Sequence, residues 1–191
     1  MTVYVGNLEV KTSDAVYNPA EDSLLLAKHV RGAKGRVLDV GTGTGIQAMV
    51  AAQTAEYVLG VDINPYAVSL AAENAKNNIL KNIEIIESDL FDNVKRRFDL
   101  IVFNPPYLAV NELGQLAKSW SGGEDGVEVI NRFLSGVSGY LEDEGQTLIV
   151  LSSVNKPDKV KDMLSQQGYK VEEVECERFF YERIYVVRFS L

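Results

Sequence analysis

Arg36-Val37-Leu38-Asp39-Val40-Gly41-Thr42-Gly43-Thr44-Gly45 is the stretch on which the fold of this chain turns. Its first five residues form a short β-branched, apolar run, the pattern of a buried strand. The glycines that follow permit a tight turn and let a ligand lie against bare backbone. After Gly45 a helical pattern opens and runs to about Thr54. The spacing is G-x-G-x-G. A dinucleotide fingerprint would place glycine where Ile46 stands, and a phosphate-binding P-loop would end in Lys-Ser/Thr, which this loop lacks. A turn whose glycines serve packing alone is the plain alternative.

Outward from this unit, strands and helices alternate. Toward the N-terminus, Val3–Val5 and Leu8–Val10 flank Gly6-Asn7 as a small hairpin, and Pro19 is expected to open a helix reaching Val30, with Glu21 and Asp22 in its first turn. Toward the C-terminus come a strand at Tyr57–Asp62, a helix at Pro65–Asn77, and strands at Ile83–Ile86 and Phe98–Phe103. A long loop is expected from Asn104 to about Glu124, then a helix over Gly126–Leu141, a strand over Gln146–Leu151 and a helix over Lys156–Gln167. Tyr169–Cys176 and Arg183–Phe189 read as an antiparallel hairpin.

Repeated strand–helix units predict an α/β, Rossmann-like fold: a mostly parallel seven-stranded sheet with helices on both faces and that hairpin at its end. Residues 1–191 read as one domain, with 1–34 closing a site built on a core of 35–191. Ligands of such sheets sit beyond the carboxyl ends of the strands. Chemistry is therefore sought at Asp39–Gly45, Asp62–Asn64, Asp89-Leu90 and Asn104–Tyr107.

Composition narrows the chemistry. One histidine, His29, and one cysteine, Cys176, cannot supply the four ligands of a structural zinc site, so no metal is expected. His29 lies in an amphipathic helix pattern and reads as structural or solvated; Cys176 reads as a packed, inert thiol. Net charge is −8. That balance argues against stable nucleic-acid binding, which calls for a basic face. No apolar run approaches the roughly 18 residues of a membrane span, and no secretory signal opens the chain, so the cytoplasm is expected.

The acids at the strand ends describe a ligand. Asp39, at the mouth of the glycine loop, would repel a pyrophosphate but suits an ammonium group. Asp62 ends the next strand, where a carboxylate accepts from both ribose hydroxyls. Asp89 is placed to accept from an adenine amino group, with Leu90 against the ring. A ribose, an amino-acid moiety and no phosphate together describe S-adenosylmethionine. Asn104-Pro105-Pro106-Tyr107 then supplies the acceptor side. Two prolines end the ladder and stiffen the chain, leaving the Pro105 carbonyl free. With the Asn104 side-chain carbonyl it forms a pair of acceptors for an NH₂ group, and Tyr107 offers a flat face. Holding both N–H bonds orients a delocalised, weakly nucleophilic nitrogen toward a sulfonium methyl.

Together these residues resemble the class I methyltransferases, and within them the HemK/PrmC family, which methylates the glutamine of the Gly-Gly-Gln loop in class I peptide release factors. Val16-Tyr17-Asn18-Pro19-Ala20-Glu21-Asp22-Ser23 and Trp120-Ser121-Gly122-Gly123-Glu124-Asp125-Gly126 resemble signatures of its archaeal and eukaryotic arm. The resemblance implies a protein-(glutamine-N5) methyltransferase using S-adenosylmethionine and yielding S-adenosylhomocysteine. It implies that Ser23 borders the cofactor. Asp39 and Gly41, within a loop completed by Gly43 and Gly45, hold its amino-acid end. Asp62, near Asn64, holds the ribose, and Asp89 with Leu90 the adenine. Asn104 binds the target, and Tyr17, Pro19 and Ala20 help close the pocket. Ser23 stands where threonine is frequent and keeps the hydroxyl. Bacterial relatives carry an added N-terminal helical domain that docks the release factor; with 38 residues ahead of Asp39, docking here is expected to use the core, the 108–126 loop or a partner. The resemblance also implies a small zinc-binding activator subunit along an edge strand, expected at Ile83–Ile86. Adenine N6 or cytosine N4 of DNA or RNA is the competing target, since such amines present the same NH₂, and a non-catalytic cofactor-binding subunit is the competing role.

Overall fold

In a computed structural model, residues 1–106, 127–179 and 182–191 are described, Asn155 by its backbone only. Tyr107, the rest of the expected long loop and the Trp120–Gly126 segment lie outside the described residues.

The elements run β1 (Thr2–Val5), β2 (Leu8–Lys11), α1 (Glu21–Val30), β3 (Arg36–Val40), α2 (Ile46–Ala52), β4 (Tyr57–Asp62), α3 (Pro65–Asn77), β5 (Ile83–Glu87) and β6 (Phe98–Phe103), then α4 (Glu128–Gly136), β7 (Leu141–Ser152), α5 (Pro157–Gln166), β8 (Lys170–Phe179) and β9 (Glu182–Ser190). β1 and β2 form the expected hairpin. The other seven strands form one sheet in the order β5-β4-β3-β6-β7-β9-β8. The first five of these pair in parallel, and β9 joins β7 and β8 antiparallel. The chain steps outward from β3 to β4 and β5, then returns to β6 on the other side of β3. That reversal is the switch point, and it opens a crevice above the carboxyl ends of β3 and β6.

Strand alternation sorts the core into two layers. Leu38, Val40, Leu59 and Val61 face α4 and α5 in one cluster, while Val37, Val58, Leu100 and Val102 face α1 and α2 in the other. Each such side chain contributes roughly 1.5–3 kcal/mol on full burial. The hairpin is held to this body by amides of α3. Asn74 Oδ1 accepts from Lys11 N at 2.9 Å and its Nδ2 donates to Lys11 O at 3.0 Å. One turn on, Asn78 does the same with Glu9 N and O. These two side chains act as an extra strand edge for β2.

Four expectations need correction. Pro19 does not open α1; Ala20 is extended at φ −123° and caps the helix, which starts at Glu21. Residues 17–20 instead run as a strap toward the crevice. The helix expected over Gly126–Leu141 ends at Gly136 and continues as a 3₁₀ turn over Val137–Tyr140. β7 then starts at Leu141, five residues before the expected Gln146, because buried Leu141 pairs with Phe98 and Glu142 bonds Arg36. Finally, Cys176 is exposed rather than packed, since β8 is a sheet edge. His29 is tied to that edge through Glu175, 2.5 Å from its Nε2.

Candidate active site

The crevice holds a cavity of about 900 Å³. Each of the strand-end groups singled out in the sequence contributes to it: Asp39, Gly41 and Gly43 after β3, Asp62 and Asn64 after β4, Asp89 and Leu90 after β5, and Asn104, Pro105 and Pro106 after β6. From the N-terminal segment come Tyr17, Pro19 and Ser23. Ala20 and Gly45 do not line it. Gly45 is the N-cap of α2 at φ 83°, and a Cβ there would lie 3.0 Å from Ala71 Cβ. Its glycine is required by backbone conformation and by helix packing. Tyr107 lies outside the described residues.

The glycine loop is shaped by the two acids it was expected to serve. Asp39 is buried at the end of β3, and its Oδ2 accepts from Thr42 Oγ1 at 2.6 Å and Ala48 N at 3.0 Å. Burial is the main force on its carboxyl, raising the pKa from 3.8 to about 7; the two hydrogen bonds pull down and the nearby Asp62 charge pushes up. Asp62 is likewise raised by burial, against hydrogen bonds from backbone N–H groups. Its Oδ2 accepts from Gly43 N and its Oδ1 from Asn64 N, both at 2.9 Å. Asn64 in turn donates to Ala15 O at 3.0 Å, which anchors the strap, and its Oδ1 caps α3 through Tyr66 N. A carboxylate oxygen has two lone pairs, so Asp62 retains acceptor capacity toward the cavity.

Asp89 is engaged in a way the sequence did not signal. Arg132 Nη2, from α4, donates to its Oδ2 at 2.8 Å. Leu90 beside it adopts the left-handed region at φ 49°, rare for a side chain of that kind.

The Asn104 side of the cavity is organised by Asp22, which sequence reading left as a helix-start acid. Asp22 is buried in the first turn of α1. Its Oδ1 accepts from Ser23 N at 2.6 Å, its carboxylate accepts from Tyr17 Oη, and its Oδ2 accepts from Asn104 Nδ2 at 2.9 Å. Because a carboxylate only accepts, the Asn104 amide must present its NH₂ to Asp22 and its carbonyl elsewhere. That carbonyl oxygen is buried without a hydrogen-bond partner among the described residues. Orphaned buried acceptors are costly, at about 1–3 kcal/mol, and call for an explanation.

Other lining residues, which sequence reading missed, include Asp14, Gln47, Phe103, Glu128 and Arg132. Gln47 stood within reach, two residues past Gly45; Glu128 and Arg132 reach the cavity only through tertiary packing of α4. Among the described residues, six carboxylates line the cavity (Asp14, Asp22, Asp39, Asp62, Asp89, Glu128) against one guanidinium. Such a lining suits a cationic ligand and disfavours a polyphosphate.

The family model for the methyltransferase small domain matches residues 7–181. The chain belongs to this family. A candidate protein N5-glutamine methyltransferase of Methanocaldococcus jannaschii is 42% identical over 179 residues, covering 90% of each chain. Methyltransferase HEMK2 of Mus musculus is 30% identical over 192 residues, covering 92% of this chain and 89% of its own. Among solved structures, the E. cuniculi Mtq2–Trm112 complex, which methylates the translation termination factor eRF1, superposes with a TM-score of 0.72 at 23% identity, over 92% of this chain and 98% of that one. The seven-stranded, hairpin-ended sheet is thus the class I methyltransferase fold, and the HemK/PrmC resemblance is matched by these relatives. Among the described residues no helix is long and apolar enough to cross a membrane.

Proposed function

We propose that this methyltransferase transfers the methyl group of S-adenosylmethionine to the side-chain amide nitrogen of the glutamine in the Gly-Gly-Gln motif of a class I release factor. The observation that carries the reading is the buried Asn104 Oδ1, which has no hydrogen-bond partner among the described residues while the amide's NH₂ is taken by Asp22. It is an acceptor waiting for an N–H donor. The Pro105 carbonyl, freed by the prolines around it, is the second acceptor. A primary amide supplies two N–H donors on one nitrogen and so satisfies both.

The residues fit the cofactor by their donor and acceptor character. Asp39 takes its ammonium group, Asp62 its ribose hydroxyls, and Asp89, with Leu90, its adenine; Ser23 and Tyr17 border it. S-adenosylmethionine supplies a methyl carbon made electrophilic by sulfonium. The protein's own part is orientation and electrostatics. Asn104 and Pro105 hold both N–H bonds, so that the nitrogen lone pair faces the donor end of the cavity. Their carbonyl dipoles stabilise the positive charge that grows on nitrogen as it gains a carbon. The methylated nitrogen is then acidic enough to lose its proton without a strong base, in keeping with the absence of a histidine from the cavity lining.

Residues 1–34 act as the cover of this site within a single methyltransferase domain, since the hairpin is pinned to α3 and the strap to Asn64. The relatives' named substrates and the acidic cavity favour a protein segment over nucleic acid. A small zinc-binding activator subunit pairs along β5, whose outer side is a sheet edge; an unpaired edge is a template for another chain. The reading places the protein in the cytoplasm, where translation occurs. The test is a transfer assay with labelled cofactor against release factor, tRNA, rRNA and DNA, each with and without a zinc-binding partner. Label on the motif glutamine is the expected result. Label on nucleic acid alone overturns the protein reading.

A further inference from the structure

A second orphaned acceptor belongs to Gln47, a residue that lines the same cavity. Gln47, the second residue of α2, is buried at 4% exposure, and its Nε2 donates to Ser23 O of α1 at 2.8 Å. A backbone carbonyl can only accept, so the amide has one allowed orientation and Oε1 must face the other way. Oε1 is buried and has no hydrogen-bond partner among the described residues. Its place in the site is set by its neighbour: Ala48 N donates to Asp39 Oδ2 at 3.0 Å. Gln47 therefore stands one residue from the group that binds Asp39, at the end of the cavity lined by Asp39, Ser23 and Thr44.

Only a donor can satisfy Oε1, which excludes the carboxylate of an amino-acid ligand and leaves its ammonium. An ammonium group has three N–H donors, more than one carboxylate oxygen can use. We infer that Gln47 Oε1 is a second acceptor, beside Asp39, for the ammonium of the cofactor's amino-acid end. The inference rests on the S-adenosylmethionine reading given above. It gives the site a means of telling a full amino-acid tail from a truncated thioether.

Binding of S-adenosylhomocysteine and of 5′-methylthioadenosine, which lacks the amino-acid tail, tests this by calorimetry on the whole protein. The variants are Gln47→Met, which keeps volume but removes both the acceptor and the donor to Ser23 O, and Gln47→Glu, which removes only that donor and keeps an acceptor oxygen. Gln47→Met is expected to lose roughly tenfold or more in affinity for S-adenosylhomocysteine, with 5′-methylthioadenosine unchanged, while Gln47→Glu retains the preference of the parent. Equal losses for both ligands in Gln47→Met would mean that the side chain only braces α1 through Ser23, and overturn the inference. So would an unchanged affinity for S-adenosylhomocysteine in Gln47→Met, or loss of the preference in Gln47→Glu. A parent protein that binds neither ligand overturns the cofactor reading and this inference together.

Discussion

Asp39→Asn is predicted to flatten the pH dependence of stability and to remove that of cofactor binding. Burial lifts the Asp39 carboxyl from 3.8 to about 7. The folded state therefore holds a proton that the unfolded state has released over that interval, so stability falls as pH rises from about 4 to about 7. At about 1.4 kcal/mol per unit, the full cost above pH 7 is on the order of 4 kcal/mol, an upper bound for the ligand-free protein. Asparagine keeps an oxygen for the Thr42 hydroxyl and the Ala48 N–H while carrying no charge. Between pH 5 and 8 the Asp39 share of this loss is about 2–3 kcal/mol, so the parent should lose roughly 5–10 °C at 2–4 °C per kcal/mol, and the variant only the smaller dependence left by Asp62, which burial also raises. The cofactor's ammonium supplies the counter-charge that the apo site lacks, so the parent should bind S-adenosylhomocysteine more tightly at pH 8 than at pH 6 and release a proton on binding at pH 6. Calorimetry in buffers of different ionisation enthalpy reads that proton. Asp39→Asn should bind more weakly and release none. Parallel melting profiles for parent and variant, or a proton release that survives the substitution, would refute the reasoning.

Asn104→Ala should abolish methyl transfer while cofactor affinity, by titration, stays within a few-fold; equal loss of both would remove Asn104 from the acceptor side. Asp22→Asn should lower kcat more than it raises the cofactor dissociation constant, because a neutral partner lets the Asn104 amide flip; retention of full kcat argues that Asp22 does not set that orientation. Asp62→Ala should cost roughly 1–3 kcal/mol of cofactor binding, the range of a lost buried hydrogen bond, and unchanged affinity would place the ribose elsewhere. Gly45→Ala should destabilise the fold by about 1–2 kcal/mol from the left-handed backbone alone, before any strain against Ala71, with denaturant unfolding as the measure.

What the sequence made legible was whatever repeats with a period or breaks one. β4 and β6 match their expected bounds because Tyr57–Asp62 and Phe98–Phe103 are nearly continuous apolar runs with no competing pattern. The strand-end acids could be placed because a parallel sheet sends every strand's carboxyl end to one side. The N-terminal bounds of β7 were hidden, since Glu142-Asp143-Glu144-Gly145 reads as a polar turn until Phe98 and Arg36 are there to pair with it. Arg132 at Asp89 and Asp22 at Asn104 were hidden for a related reason. Their partners lie 43 and 82 residues away, and nothing local in a helix face or a first-turn acid announces a contact of that range.

The two buried orphans share a cause that points to the role of α1. Asp22 takes the NH₂ of Asn104, and Ser23, the next residue, takes the NH₂ of Gln47. Consecutive positions of one helical turn thus turn two amides so that both carbonyls lack hydrogen-bond partners among the described residues, one at Asn104 and one near Asp39. Either amide alone could reverse and satisfy itself differently; an acceptor fixed against each NH₂ forbids it. The helix is held in place where Leu25, Leu26 and Val30 join the core. The segment ahead of β3 therefore reaches the cavity at two places. Through α1 it contacts both Asn104 and Gln47.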